Sequence, residues 1–150
     1  MGVLLWLQAT AFSHWVRESP SILAYPTVLT AHTIGLGLLV GANVVLDLAL
    51  LDCFPGTPIA PLERLYPIMW AGFGLNAASG VALFIGDPVT KATQVVFYVK
   101  LLCIGFGVLC MVRIRHAIFV ERRGGRALAA MSLGCWAAAI VAGRLMAYVK

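Results

Sequence analysis

"TVLTAHTIGLGLLVGANVVLDLALL", residues 27–51, decides the fold. No proline interrupts it, and apart from a few threonines its polar residues are His32, Asn43 and Asp47. A helix needs roughly 20 mostly apolar residues to cross a bilayer, and this run exceeds that length. A histidine, an amide or a carboxylate facing lipid costs free energy, so each of the three requires a partner, a cavity or a task. His32 and Asn43 are eleven residues apart and share a helix face, and Asp47 lies one turn beyond Asn43 on the same stripe. That stripe is expected to face protein, with Asp47 near the inner membrane surface and placed to pair with Arg64 or Arg113.

The rest of the chain repeats the pattern. Of 150 residues, 61% are hydrophobic and 11% charged, against about 25% charged in soluble domains. The run 26–51 is followed by the breaker "DCFPGTPIAP", a second span over about 62–85, the turn "GDPVT", a third span over about 91–120, the turn "ERRGGR" and a fourth span over about 127–148. Short turns make neighbours antiparallel, so residues 1–150 are expected to be one all-α domain, an integral membrane four-helix up-down-up-down bundle. Residues 3–18 are expected to form an N-terminal interfacial amphipathic helix. Thr10, Ser13, His14 and Arg17 share one face, Leu5, Phe12 and Val16 the other, and Trp6 and Trp15 suit the headgroup zone. This segment lacks a signal peptide's positive start and cleavage site and is read as retained.

Orientation follows from basic residues in short loops. Arg64, Arg113, Arg115, Arg122, Arg123 and Arg126 lie on one side, and Arg17, Lys91 and Lys150 on the other. Both termini are therefore expected on the periplasmic side of a bacterial inner membrane. The net charge of +5 is assigned to these membrane-face arginines, and no nucleic-acid partner is expected.

Depth singles out the candidate site. His32 lies about two turns into the first span, Asn76 and Lys100 about ten residues from the same side, and Arg144 about one turn from it. Every span contributes one polar group to one level. Ionisable residues inside spans usually face the bundle interior and mark function. Each has a plainer use as well. Arg144 and Lys100 can snorkel to headgroups, and His32 and Asn76 can join helices by single hydrogen bonds. His14 can reach the cluster if the first helix folds over the bundle mouth, whereas His116 lies on the opposite side. Glycines at 35, 41, 72, 74, 80, 105, 107 and 143 serve close helix packing or leave room for a flat cofactor, and Gly35 is placed to leave a gap beside the His32 ring.

The motif "P-x5-H-x2-G" (Pro26, His32, Gly35), Gly41 and "DLALL" from Asp47 resemble the first span of a widespread group of small bacterial inner-membrane proteins. "GFGLNAASGVALF" from Gly72, Phe97 with Lys100, and "GRLMAY" from Gly143 look like that group's other motifs. The likeness implies a four-helix membrane fold and no particular activity. The first span is also loosely similar to copper-resistance D membrane domains and to b-type cytochrome membrane anchors, which implies a haem or metal role for His32.

Three functions remain open. The first is a redox subunit holding haem b, with His32 as axial iron ligand and Lys100 and Arg144 beside the propionates. His14, Met146 or a partner chain would supply a second ligand, and other membrane or periplasmic redox subunits, or further copies of the chain, would be its partners. The second is a non-catalytic scaffold whose polar cluster fixes helix registry. The third is a small-anion or metal-ion binding or transport protein with an outer pocket. The four cysteines show no CxxC or CxxCH spacing. There is no nucleophile–base motif, phosphate loop or HExxH, so an autonomous enzyme is not expected.

Overall fold

The computed structural model describes residues 2–121 and 125–148. Arg122, Arg123 and Lys150, used above for orientation, lie outside the described residues. The chain folds as α1 (Gly2–Gln8), α2 (Ala11–Glu18), α3 (Tyr25–Leu50), a tight turn of helix (Ala60–Arg64), α4 (Leu65–Gly86), α5 (Pro88–Thr93), α6 (Val95–Arg115), a wide helical turn (His116–Val120) and α7 (Arg126–Leu145). No strand occurs among the described residues. Four segments, Tyr25–Leu50, Ala60–Gly86, Val95–Val120 and Arg126–Leu145, are long and apolar enough to cross a membrane. Leu101, Leu102, Phe106, Leu109 and Val112 on α6 are exposed, as suits a helix facing lipid.

Two helix pairs build the bundle. α3 packs along α4 so closely that a Cβ on Gly35 would lie 2.6 Å from the Asn76 backbone nitrogen, and one on Gly72 would lie 2.6 Å from that of Leu39. Contacts rise along α3 as they fall along α4, from His32 with Ser79 to Leu39 with Gly72, so this pair is antiparallel. α6 and α7 pair in the same sense, from Gly143 beside Lys100 to Gly107 beneath the Trp136 ring. Small residues thus replace side-chain bulk where backbones or a large ring must approach. α3 also meets α7, and between the pairs lies a core of Leu39, Leu46, Tyr66, Met69, Met111, Ile114 and Trp136.

Several expectations need correction. The N-terminal segment is two helices rather than one, because the chain turns at Ala9–Thr10 and the Thr10 hydroxyl caps α2, accepting from the Ser13 N–H at 3.2 Å. The third span does not start at 91. Gln94, with extended backbone (φ −81°, ψ 119°), separates α5 from α6. No proline or glycine marks that break. It is held by side chains, with Lys91 Nζ donating to the Leu83 carbonyl and Gln94 Nε2 donating to that of Met146 at 3.3 Å. α7 stops at Leu145, and Met146–Tyr148 is a turn.

Asp47 pairs with neither Arg64 nor Arg113. It is fully buried, and Asn43 Nδ2 donates both to its carboxyl and, at 2.8 Å, to Ser132 Oγ on α7. The stripe on α3 points at α7, away from the basic ends. There Arg115 pairs with Glu63 (3.4 Å) and Arg126 with Asp52 (3.1 Å).

Candidate functional site

At the end of the bundle where α3 begins and α7 ends, a partly open cavity of about 370 Å³ lies between the helices. Its wall takes Tyr25, Leu29 and His32 from α3, Asn76, Gly80 and Phe84 from α4, Lys91 from α5, Phe97 and Lys100 from α6, and Trp136 and Arg144 from α7. Met146, just beyond α7, completes it. Five of the six residues singled out by depth and chemistry, His32, Asn76, Lys100, Arg144 and Met146, therefore line one space. His14 does not. It is half-exposed on α2, and its Nδ1 lies 3.0 Å from Glu18 Oε2. The bonds from His14 and then Arg17 hold the Glu18 carboxyl below its usual range.

His32 is held in a fixed orientation. Its Nδ1 lies 3.1 Å from the Asn76 carbonyl oxygen and 3.1 Å from Ser79 Oγ, and Asn76 Nδ2 donates to the His32 carbonyl at 2.8 Å. Each residue thus bonds the other's backbone across the α3–α4 contact. A carbonyl can only accept, so in the neutral ring the proton sits on Nδ1. Ser79 passes its own proton to the Leu75 carbonyl at 2.6 Å and so accepts from His32 as well. This leaves Nε2 with its lone pair, and Nε2 makes no hydrogen bond among the described residues. In metal-bound histidines an oxygen that accepts from the other ring nitrogen fixes the ring in this way. Room for the ring comes from Gly80, where a Cβ would lie 3.3 Å from His32 Cε1. Gly35, expected to leave that gap, is used up in the α3–α4 backbone contact.

Charge around the cavity is one-sided. Lys91, Lys100 and Arg144 face a single carboxylate, Asp87. Gly143 lets the Lys100 stem lie against α7, with Nζ 3.7 Å from where a Cβ would stand. Burial holds the Lys91 ammonium below the usual lysine range, repulsion from Lys100 adds to this, and Asp87 opposes it. Phe84 and Phe97 stack at 5.3 Å and give the cavity a flat apolar wall. Lys91 was not anticipated as part of the site. It reads as a loop cation until the break at Gln94 folds α5 back over the bundle end.

A hollow of about 400 Å³ at the opposite end is lined by Glu63, Arg64, Tyr66, Trp70 and Arg115. There Arg115 pairs with Glu63 and lies over the Tyr66 ring. Among the described residues no three His, Cys, Asp or Glu side chains converge to hold a metal ion. No family model, curated protein or solved structure matches the chain, so what the cavity can bind is read from its own chemistry.

Proposed function

We propose that this chain is a multi-pass inner-membrane protein with both termini in the periplasm, and that its cavity binds haem b through His32 for electron transfer with partner proteins. The observation that carries this reading is the His32 ring, whose Nδ1 is committed to two oxygens while Nε2 keeps its lone pair, on a residue that lines the cavity. The other wall residues suit the same group. Met146 offers a thioether as second ligand, Phe84 and Phe97 a flat face, and Lys100 and Arg144 cations for two propionates. Haem would supply one-electron chemistry, and the chain would supply binding, orientation and positive charge. In this arrangement the four spans alternate in direction, and α1 and α2 rest at the membrane surface beside the cavity.

The test is the visible spectrum of the detergent-purified protein after expression with ample haem. A Soret band is expected. It should be lost in His32→Ala and in His32→Asn, which keeps a donor for the Asn76 carbonyl, and kept in His116→Ala. Colourless wild-type protein would overturn the haem reading.

The three cations against one carboxylate favour a second reading, a small anion held without haem. A cavity of this size lies at the small end of ligand sites, about 300–1,000 Å³. Colourless protein whose melting temperature rises with phosphate would support it. Protein with neither property would leave the reciprocal His32–Asn76 bonds as a device that fixes α3 on α4.

A further inference from the structure

The buried acid in the core takes no part in the cavity. Asn43, Asp47 and Ser132 are each fully buried and none lines the cavity; Ser132 lies one helix turn along α7 from Trp136, which does. Of the six acidic residues, all described, Asp47 alone is buried. Its neighbours are neutral. Asn43 Nδ2 donates to Asp47 Oδ2 and to Ser132 Oγ. Asp47 Oδ1 and Asn43 Oδ1 are enclosed and have no hydrogen-bond partner among the described residues. Both orphaned atoms are acceptors, and the Ser132 hydroxyl, which bonds to the Asp47 carboxyl, brings one proton to a cluster with two such atoms, which therefore remains short of a donor.

The elements packed around it bring no compensating cation. α4 contributes Tyr66, whose hydroxyl donates to the Met111 carbonyl at 3.3 Å, and α6 contributes the Cys110 thiol. α7 contributes Ser132. Arg115 lies over the Tyr66 ring and pairs with Glu63. An ionised carboxylate in such surroundings costs several kcal/mol, while taking up a proton removes the charge and supplies the missing donor.

We propose that Asn43, Asp47 and Ser132 form a buried proton-binding site at the contact of α3 with α7, in which Asp47 rests as the neutral carboxylic acid. The bound species is a proton from the surrounding water, attached to one carboxyl oxygen. Release of that proton leaves a charge between two packed helices and loosens the α3–α7 contact. The site therefore couples the protonation of one residue to the seam between the two helix pairs.

Infrared spectroscopy tests this directly, because a protonated carboxyl has a C=O stretch that a carboxylate lacks. Wild-type protein in detergent at neutral pH should show that band, and Asp47→Asn should lack it. Ser132→Ala should shift the band without removing it. Raising the pH should lower the melting temperature of wild type relative to Asp47→Asn, since only wild type gains the buried charge. Absence of the band in wild type, or its persistence in Asp47→Asn, would overturn the proposal. Should Asp47→Asn fail to insert, the wild-type band alone decides: reversible loss at alkaline pH supports the site, and no band at any pH above the ordinary carboxylate range refutes it.

Discussion

Around His32, Lys91, Lys100 and Arg144 the helices leave open space, whereas around Asn43, Asp47 and Ser132 they leave none. The two groups share two helices, with His32 and Asp47 both on α3 and Arg144 and Ser132 both on α7. What differs is the spacing of the pairs. In the core between the pairs, Leu46, the ring of Trp136 and the side chains of Met69 and Met111 fill the interior. Towards the chain ends α5 folds back at Gln94, Phe84 meets Phe97, and cationic side chains line a gap too wide to close. Polar groups beside a gap can recognise something that enters it. Polar groups in a filled core must satisfy one another, and where they fall short they take up a proton.

The comparison can be broken hardest at the shared scaffold. Gly35→Leu places a side chain where a Cβ alone would already lie 2.6 Å from the Asn76 nitrogen. It should separate α3 from α4 at a cost at or above about 3 kcal/mol, the upper end for overpacking. Little monodisperse protein should survive extraction. A variant as stable as wild type in thermal unfolding would contradict the close backbone contact.

Next in size is Asn43→Ala, which leaves Asp47 and Ser132 without the amide between them. The expected loss is about 1–3 kcal/mol, that of buried polar groups left unsatisfied. The cavity should keep its ligand, which an unchanged haem spectrum or phosphate response would show. Parallel loss of both would mean that the two regions act as one.

pH separates the regions by sign. The Lys91 ammonium is held below the usual lysine range, so the folded state binds that proton less tightly than the unfolded one. Through this residue alone, ligand-free stability rises from neutral towards alkaline pH, opposite in direction to the effect of the Asp47 proton. Anion binding should weaken over the same range as Lys91 loses its charge. Lys91→Gln should flatten that loss, measured as the phosphate-dependent shift in melting temperature at neutral and mildly alkaline pH. An unaltered profile in the variant would remove Lys91 from the site.

The smallest effect belongs to neither region. Arg126 and Asp52 form a 3.1 Å pair with side chains 68% and 61% exposed. Arg126→Ala should change stability by less than about 1 kcal/mol, as surface pairs do, with the remainder screened by salt. A larger loss would show that the α7 end is held by more than packing.

Much of the site was legible because depth along a span is a linear property of sequence. Counting residues from the same membrane side brings His32, Asn76, Lys100 and Arg144 together without knowledge of helix rotation. His14 was misplaced because α2 begins after a break capped by Thr10, and its partner proved to be Glu18 one turn away. Asp47 was misassigned for a different reason. Its level suggested the basic inner surface, but the rotation of α3 aims it at Ser132.

Sequence by itself determined four apolar helices and the polar residues each would carry, since hydrophobic length and the cost of burying charge are local matters. Tertiary structure alone decided the rest. It set which face of α3 meets α7, where α5 folds back to bring Lys91 to the cavity, and that Gly80 rather than Gly35 makes room for the His32 ring. Those outcomes depend on helix rotation and on side chains far apart in the chain, such as Gln94 with Met146 and His32 with Asn76. No local pattern encodes them, because each bond forms only after two separate helices have chosen the same face.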